Sequence, residues 1–293
     1  MIVVFGSINL DLIFAVPRIP APGETVLGPA TRIEPGGKGA NQAVAAARDG
    51  ARVVMAGAIG ADSLGQGALD LLRAAGVDLT RVRTVPASTG CAAIAVDPAG
   101  NNAITVGSGA NLSVTAAQVE DALLDLDTTL VLQMEVPPAE TAALIARARA
   151  AGCRIVLNLA PAAALPAAAL RAVDVLVVNE TEAALLAADR ACAASAEGLH
   201  NCLGVTVVLT RGEQGAFVAD DAGTWHEPAM TIEAIDTTAA GDCFVGVLAH
   251  RLDQGGTLRH AVRRAIRAAG ICCTRPGSQG SLPTAAEVDS FGV

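Results

Sequence analysis

The amino-acid sequence predicts an α/β fold: a doubly wound, mostly parallel sheet flanked by helices, with a small β-sheet lid attached. Three observations predict it. Short, continuous apolar runs recur along the chain, as strands buried on both faces require. Stretches of helical period separate these runs, which is how parallel strands are joined. Two segments break the alternation with prolines and glycines and show no helical period.

The first strand is residues 2–5, an apolar run closed by Gly6. Later runs at 53–56, 130–132, 155–157, 175–178 and 205–209 read the same way. Helices are expected at 38–48, 64–75, 115–124, 139–150 and 180–188, and two long ones, 240–252 and 257–273, lie toward the end of the sequence. Residues 11–35 and 84–106 hold short β-like pieces that cannot form crossover helices. Both are therefore expected in one small antiparallel sheet, suited to a lid over a site. Residues 1–293 are read as one domain carrying that lid.

Composition narrows the function classes. With 52% hydrophobic and 17% charged residues among 293, the chain buries a core and is neither disordered nor fibrous. Twenty basic against 29 acidic residues leave a net charge of −9, so no basic footprint exists for nucleic acid or an anionic membrane. No apolar run is long enough to span a bilayer, and the start lacks the basic residues and cleavage site of a signal peptide. A cytoplasmic location is expected. Seven cysteines without a C-x-x-C read as buried small residues, and four histidines show no zinc-ligand spacing.

The strongest chemical signal is Asp236-Thr237-Thr238-Ala239-Ala240-Gly241-Asp242, small residues leading into an amphipathic helix. The first N–H groups of a helix lack internal partners and sit at its positive end, so this turn suits an anion. A carboxylate there repels phosphate unless it takes a proton from a nucleophile approaching that phosphate. Asp242 is thus either a base or a charge match for the helix start. A second junction, Gly36-Gly37-Lys38-Gly39-Ala40-Asn41-Gln42, permits close backbone approach but lacks the spacing of a Walker loop. Asn9 and Asp11, two apart, suit vicinal hydroxyls if the chain is extended, or simply a turn. Asn179 and Glu182 lie three apart at a strand-to-helix passage, fit to reach Mg2+ through water or to cap the helix. Glu135 and Thr210 each follow a strand, and Thr210 to Gly215 forms a glycine-flanked turn. These residues are expected to converge on the C-terminal edge of the sheet.

In this order the motifs closely resemble the ribokinase family of carbohydrate kinases over nearly the whole chain. The resemblance implies a ribokinase-like fold and ATP-dependent phosphorylation of the primary hydroxyl of a pentose, D-ribose to D-ribose 5-phosphate. It implies Asp242 as catalytic base, with the N–H groups of Ala240, Gly241 and Asp242 as anion hole. Sugar contacts would come from Asn9, Asp11, Gly36, Gly37, Lys38, Asn41 and Glu135. The nucleotide would meet Asn179, Thr210, Arg211, Gly212, Glu213, Gln214, Gly215 and Gly241, with Glu182 organising Mg2+ through water. A K+ site is implied at Asp236, Thr238, Cys272, Arg275, Gly277 and Ser281, mostly through carbonyl oxygens. A homodimer through the lid is implied as well. Val245 and Ile266 depart from the family's usual Asn and His. The rival readings are the same chemistry on another sugar or a ribonucleoside, and a non-catalytic sugar-binding or regulatory protein.

Overall fold

A computed structural model of the chain describes residues 1–291, so the last two positions of the expected 1–293 domain lie outside the described residues. In chain order the strands are β1 (Ile2–Phe5), β2 (Asn9–Ala15), β3 (Ala30–Gly36), β4 (Val53–Gly60), β5 (Asp78–Val85), β6 (Gly90–Val96), β7 (Asn102–Gly107), β8 (Thr129–Leu132), β9 (Arg154–Asn158), β10 (Val175–Asn179), β11 (Thr206–Thr210), β12 (Ala216–Asp220) and β13 (Gly223–Glu227). The helices are α1 (Lys38–Arg48), α2 (Ser63–Ala68), α3 (Asp70–Ala74), α4 (Pro138–Ala151), α5 (Ala167–Leu170), α6 (Glu180–Arg190), α7 (Ala196–Leu203), α8 (Ala240–Asp253), α9 (Leu258–Cys273) and α10 (Ala285–Ser290).

The large sheet runs β13-β12-β11-β10-β9-β8-β1-β4-β5. Its strands are parallel except at the β12 and β13 edge, which turns back antiparallel. Every residue of β1, β4 and β8 is buried, as continuous apolar strands between two helical layers must be. One face packs on α1, α8 and α9, the other on α4, α6 and α7, giving two hydrophobic cores. Small residues bring α1 and α8 together. A Cβ on Gly246 would stand 2.5 Å from Gln42 O and 2.7 Å from the Ala45 Cβ, so only glycine permits this approach.

The second sheet runs β3-β2-β6-β7. It departs from the expected antiparallel arrangement, because β2 and β6 pair in parallel while the outer pairs are antiparallel. The chain leaves the small sheet after β3, builds α1, β4 and β5, and re-enters at β6, so β6 cannot run as a hairpin neighbour of β2. Thr84 and Val85, expected in the small sheet, belong to β5 of the large sheet.

The expected helix at 115–124 is instead two short 3-10 turns, Ala116–Gln118 and Asp121–Leu123. Arg147 of α4 explains it. Its guanidinium donates to Ala116 O and Val119 O, each at 2.8 Å, taking carbonyls that a continuing helix would use. The expected 64–75 helix breaks at Leu69 into α2 and α3. Cys153, Cys243 and Cys272 are buried as expected, whereas Cys91, Cys192, Cys202 and Cys273 are half-buried, and all seven are free thiols. Among the described residues no helix is long and apolar enough to cross a membrane.

Candidate active site

The parallel packing of α1 on α8 sets Asp242, in the first turn of α8, against Asn41 and Gln42 of α1. Asp242 is 6% exposed. Its Oδ2 accepts from Asn41 Nδ2 and its Oδ1 from Gln42 Nε2, both at 2.9 Å. Burial pushes its carboxyl upward, Lys38, Asn41 and Gln42 pull it back, and Glu135 adds to the rise, leaving it above the ordinary range. The Asp242 charge in turn raises the Lys38 ammonium. Just before the helix, Ala239 adopts a left-handed φ of 58°, which turns the chain sharply into α8. The Ala240 N–H donates to Thr237 O at 3.3 Å, so of the three expected anion-hole groups only those of Gly241 and Asp242 lack a partner among the described residues. Gly241 faces open space, since a Cβ there would meet no atom within 4 Å.

Asn9 and Asp11 open β2, two residues apart on one face of the small sheet. Asn9 Oδ1 accepts from Asn111 Nδ2 at 2.7 Å, while Asp11 Oδ1 and Asn41 Oδ1 are buried without a partner among the described residues. Buried acceptors left unpaired call for donors from elsewhere, and sugar hydroxyls are such donors. Asp11 is pushed up to about 7 by burial, then by Glu135, Glu34 and Asp242. Gly36 makes room for it, since a Cβ there would lie 2.1 Å from Asp11 Oδ2. Glu135 accepts from Ser7 Oγ at 2.6 Å and from Lys38 N at 3.0 Å, tying the ends of β1 and β8 to the start of α1. A cavity of about 890 Å³ lies between the small sheet and residues 234–238. Of the expected sugar set, Asp11 alone stands on its wall, with Ile13, Ile94 and Ile104 nearby.

A second cavity of about 800 Å³, which meets the first at Ala234 and Thr237, is lined by Thr210, Gly212, Glu213, Gln214, Gly215, Ala240 and Gly241. Phe244, Ile266 and Met230 supply its apolar wall. Arg211 and Asn179, expected with this set, are not on the wall. Arg211 lies over the Phe217 ring, 3.4 Å from Glu180. Asn179 caps α6, accepting from Glu182 N at 2.9 Å while Glu182 Oε2 accepts from Asn179 N at 2.8 Å. Burial raises Glu182, and both Lys38 and Asp242 act on its charge.

The expected cation positions meet around the turn before α8. Asp236 Oδ1 accepts from Thr238 N and Oδ2 from Gly277 N, each at 2.9 Å. Burial raises this carboxyl, but those bonds outweigh it and hold it low, hence ionised. Cys272 Sγ is 3.7 Å from Thr238 O and 3.0 Å from Ser281 Oγ. Arg275 turns away to Glu287 at 2.7 Å.

Comparison with known proteins decides the family. The pfkB family carbohydrate kinase model matches residues 1–285. The chain belongs to the PfkB carbohydrate kinase family. It is an ATP-dependent sugar kinase. It is 39% identical to a ribokinase of Haemophilus influenzae, over 98% of this chain and 97% of that protein. Its structure is similar to a Thermotoga maritima ribokinase, with TM-score 0.90 and 33% identity over 99% and 98% of the two chains. It is also similar to an Arabidopsis thaliana ribokinase complexed with ribose and ATP, with TM-score 0.88 and 27% identity over 98% and 96%.

Within this family frame, sequence reasoning missed four residues that the site uses structurally. Asn111 holds Asn9, Ser7 bridges Glu135 and Gly39 N, and Gln133 donates to Gln42, which holds Asp242. Gln42 and Ser7 sit inside or beside the glycine-rich motifs. Asn111 and Gln133 carry no local signal, because their partners are about 90 to 100 residues away in sequence.

Proposed function

We propose that the protein transfers the γ-phosphoryl group of ATP to the primary hydroxyl of D-ribose, giving D-ribose 5-phosphate. The observation that carries this reading is Asp242: a buried, amide-held carboxylate in a helix start where the N–H groups of Gly241 and Asp242 have no partner among the described residues and Gly241 lines the nucleotide-side cavity. Asp242 takes the proton of the sugar hydroxyl, the hydroxyl oxygen bonds to the γ-phosphorus, and the bond to the β-γ bridging oxygen breaks to release ADP. The N–H groups of Gly241 and Asp242 face the charge that develops on the transferred group. Asp11 and Asn41 take hydroxyl donors with their unpaired oxygens, helped by Asn9, Lys38 and Glu135.

Two ions fit the residues present. Glu182, buried with one carboxylate oxygen outside its capping box, suits Mg2+ held through water, which would offset phosphate charge. Asp236, held ionised by the N–H groups of Thr238 and Gly277, suits K+, which would shape the anion turn electrostatically. The small sheet acts as a lid, closes on a second copy of the chain, and keeps water from the activated site. Its apolar positions Phe14 and Ile33, 37% and 61% exposed in the single chain, support that pairing. The reaction runs in the cytoplasm.

A second reading has one observation in its favour. The cavity of about 890 Å³ beside Asp11 exceeds what a pentose fills, and a ribonucleoside would use more of it. The test is ADP release with ribose, 2-deoxyribose, fructose, adenosine and uridine, each with and without KCl. Preference for ribose is expected. A nucleoside preference would replace the substrate, and no turnover on any would favour a binding protein.

A further inference from the structure

We infer that Gln133 and Gln42 are positioning residues that hold Asp242 in its reactive orientation through a directed chain of amide hydrogen bonds. The inference rests on the reading of Asp242 as general base. Chemistry fixes the direction of each link. An ionised carboxylate only accepts, so Gln42 must present its NH2 group to Asp242 Oδ1 at 2.9 Å. The carbonyl of Gln42 then faces Gln133, whose NH2 donates to it at 2.8 Å. Turning either amide over would set two oxygens or two NH2 groups against each other.

The surroundings are built for this chain. Gln42 and Gln133 are both 0% exposed, so bulk water cannot substitute for either donor. Gln133 fits only because a glycine follows β1: a Cβ on Gly6 would stand 1.8 Å from Gln133 Oε1. That Oε1 has no partner among the described residues, so the Gln133 amide is half satisfied, and its NH2 is the half that is used. Three elements therefore cooperate: the glycine after β1 supplies space, the end of β8 supplies the donor, and α1 carries the relay to α8. Without Gln133, the buried Gln42 carbonyl loses its donor and the amide is no longer held from behind, so its NH2 meets Asp242 Oδ1 less firmly and Asn41 remains the other side-chain donor. The other charged or titratable groups acting on Asp242 are Lys38 on α1, Glu135 after β8, Asp11 on β2, Glu182 on α6 and Cys272 on α9, and the changes below leave all of them in place.

The experiment compares Gln133→Met, Gln42→Met, the double variant and Asp242→Asn in the full chain with ribose and MgATP. Each single variant is expected to lower kcat about tenfold, the scale of one lost bond to a charged group, with KM for ATP unchanged. Because lost donors raise the carboxylate, the acid limb of the kcat profile should move to higher pH. The double variant should fall no further than Gln42→Met, since Gln133 acts through Gln42. Additive losses, or an unmoved acid limb, would overturn the inference. If Gln133→Met does not fold, Gln133→Leu reads the same limb, and Gln42→Met tests the second link on its own. Normal turnover in Asp242→Asn would remove the base itself. An inactive Asp242→Asn beside unaltered glutamine variants would remove only the positioning role.

Discussion

Two buried carboxylates stand at opposite ends of the same helix pair and are treated in opposite ways. Asp49, at the C-terminus of α1, is over-partnered. It accepts from His250 Nδ1 at 2.7 Å, from Arg251 Nε and Nη2 at 2.9 Å, and from Arg264 Nε at 2.9 Å. Burial pushes it up, but the bonds from His250, Arg251 and Arg264 outweigh burial and hold it below the usual carboxylate range. Asp242, at the other end, has two neutral amides and a nearby lysine, and burial wins. The comparison separates scaffold from the proposed chemistry: a carboxylate that stays ionised and still is saturated with side-chain donors, whereas the one proposed to accept a proton is left under-compensated.

The largest expected effect breaks the comparison at its reactive end. Asp242→Asn should lower kcat about a thousandfold, the middle of the range for a general base, while urea unfolding changes little, because the loss of a buried charge is offset by an NH2 set against the donor of Asn41 or Gln42. At the scaffold end, Asp49→Ala strands His250 and two arginines and should cost about 3–5 kcal/mol in urea unfolding, leaving KM for sugar and ATP unchanged in the protein that remains folded. Asp11→Ala sharpens the contrast from the sugar side. Its KM for ribose should rise about 10- to 100-fold with KM for ATP preserved, since unpaired hydroxyls are discriminated on that scale. The smallest effect is in pH. Asp11 is held near 7, and its ionised form accepts hydroxyl donors, so KM for ribose should fall several-fold, about one decade at most, as pH rises through about 7. Asp11→Asn should flatten that dependence.

Much of this contrast is legible in the sequence. The helix at 38–48 follows from glycine punctuation and small apolar residues on one face, and its bounds match α1. Asp242 stands out because a carboxylate among small residues at a helix start conflicts with an anion site unless it does chemistry. The expected helix at 115–124 fails for a reason no window of sequence contains, namely Arg147 arriving from α4. The small sheet forms where expected, but its mixed pairing depends on where the chain re-enters at β6. Asn179 and Glu182 show the opposite limit, since local spacing fits both a cap and an ion, and the cap is formed. Asn111, Gln133 and the Asp49 cluster are invisible in sequence because each is made by partners roughly 90 to 200 residues apart.

The most direct test of sugar phosphorylation at Asp242 is 31P NMR of the purified protein with ribose, MgATP and KCl, run beside Asp242→Asn. Wild type should form a phosphomonoester on the primary carbon of ribose, one for each ADP, and the variant should form none on the same timescale. Equal product from the variant, or ADP with inorganic phosphate in place of sugar phosphate, would contradict the account.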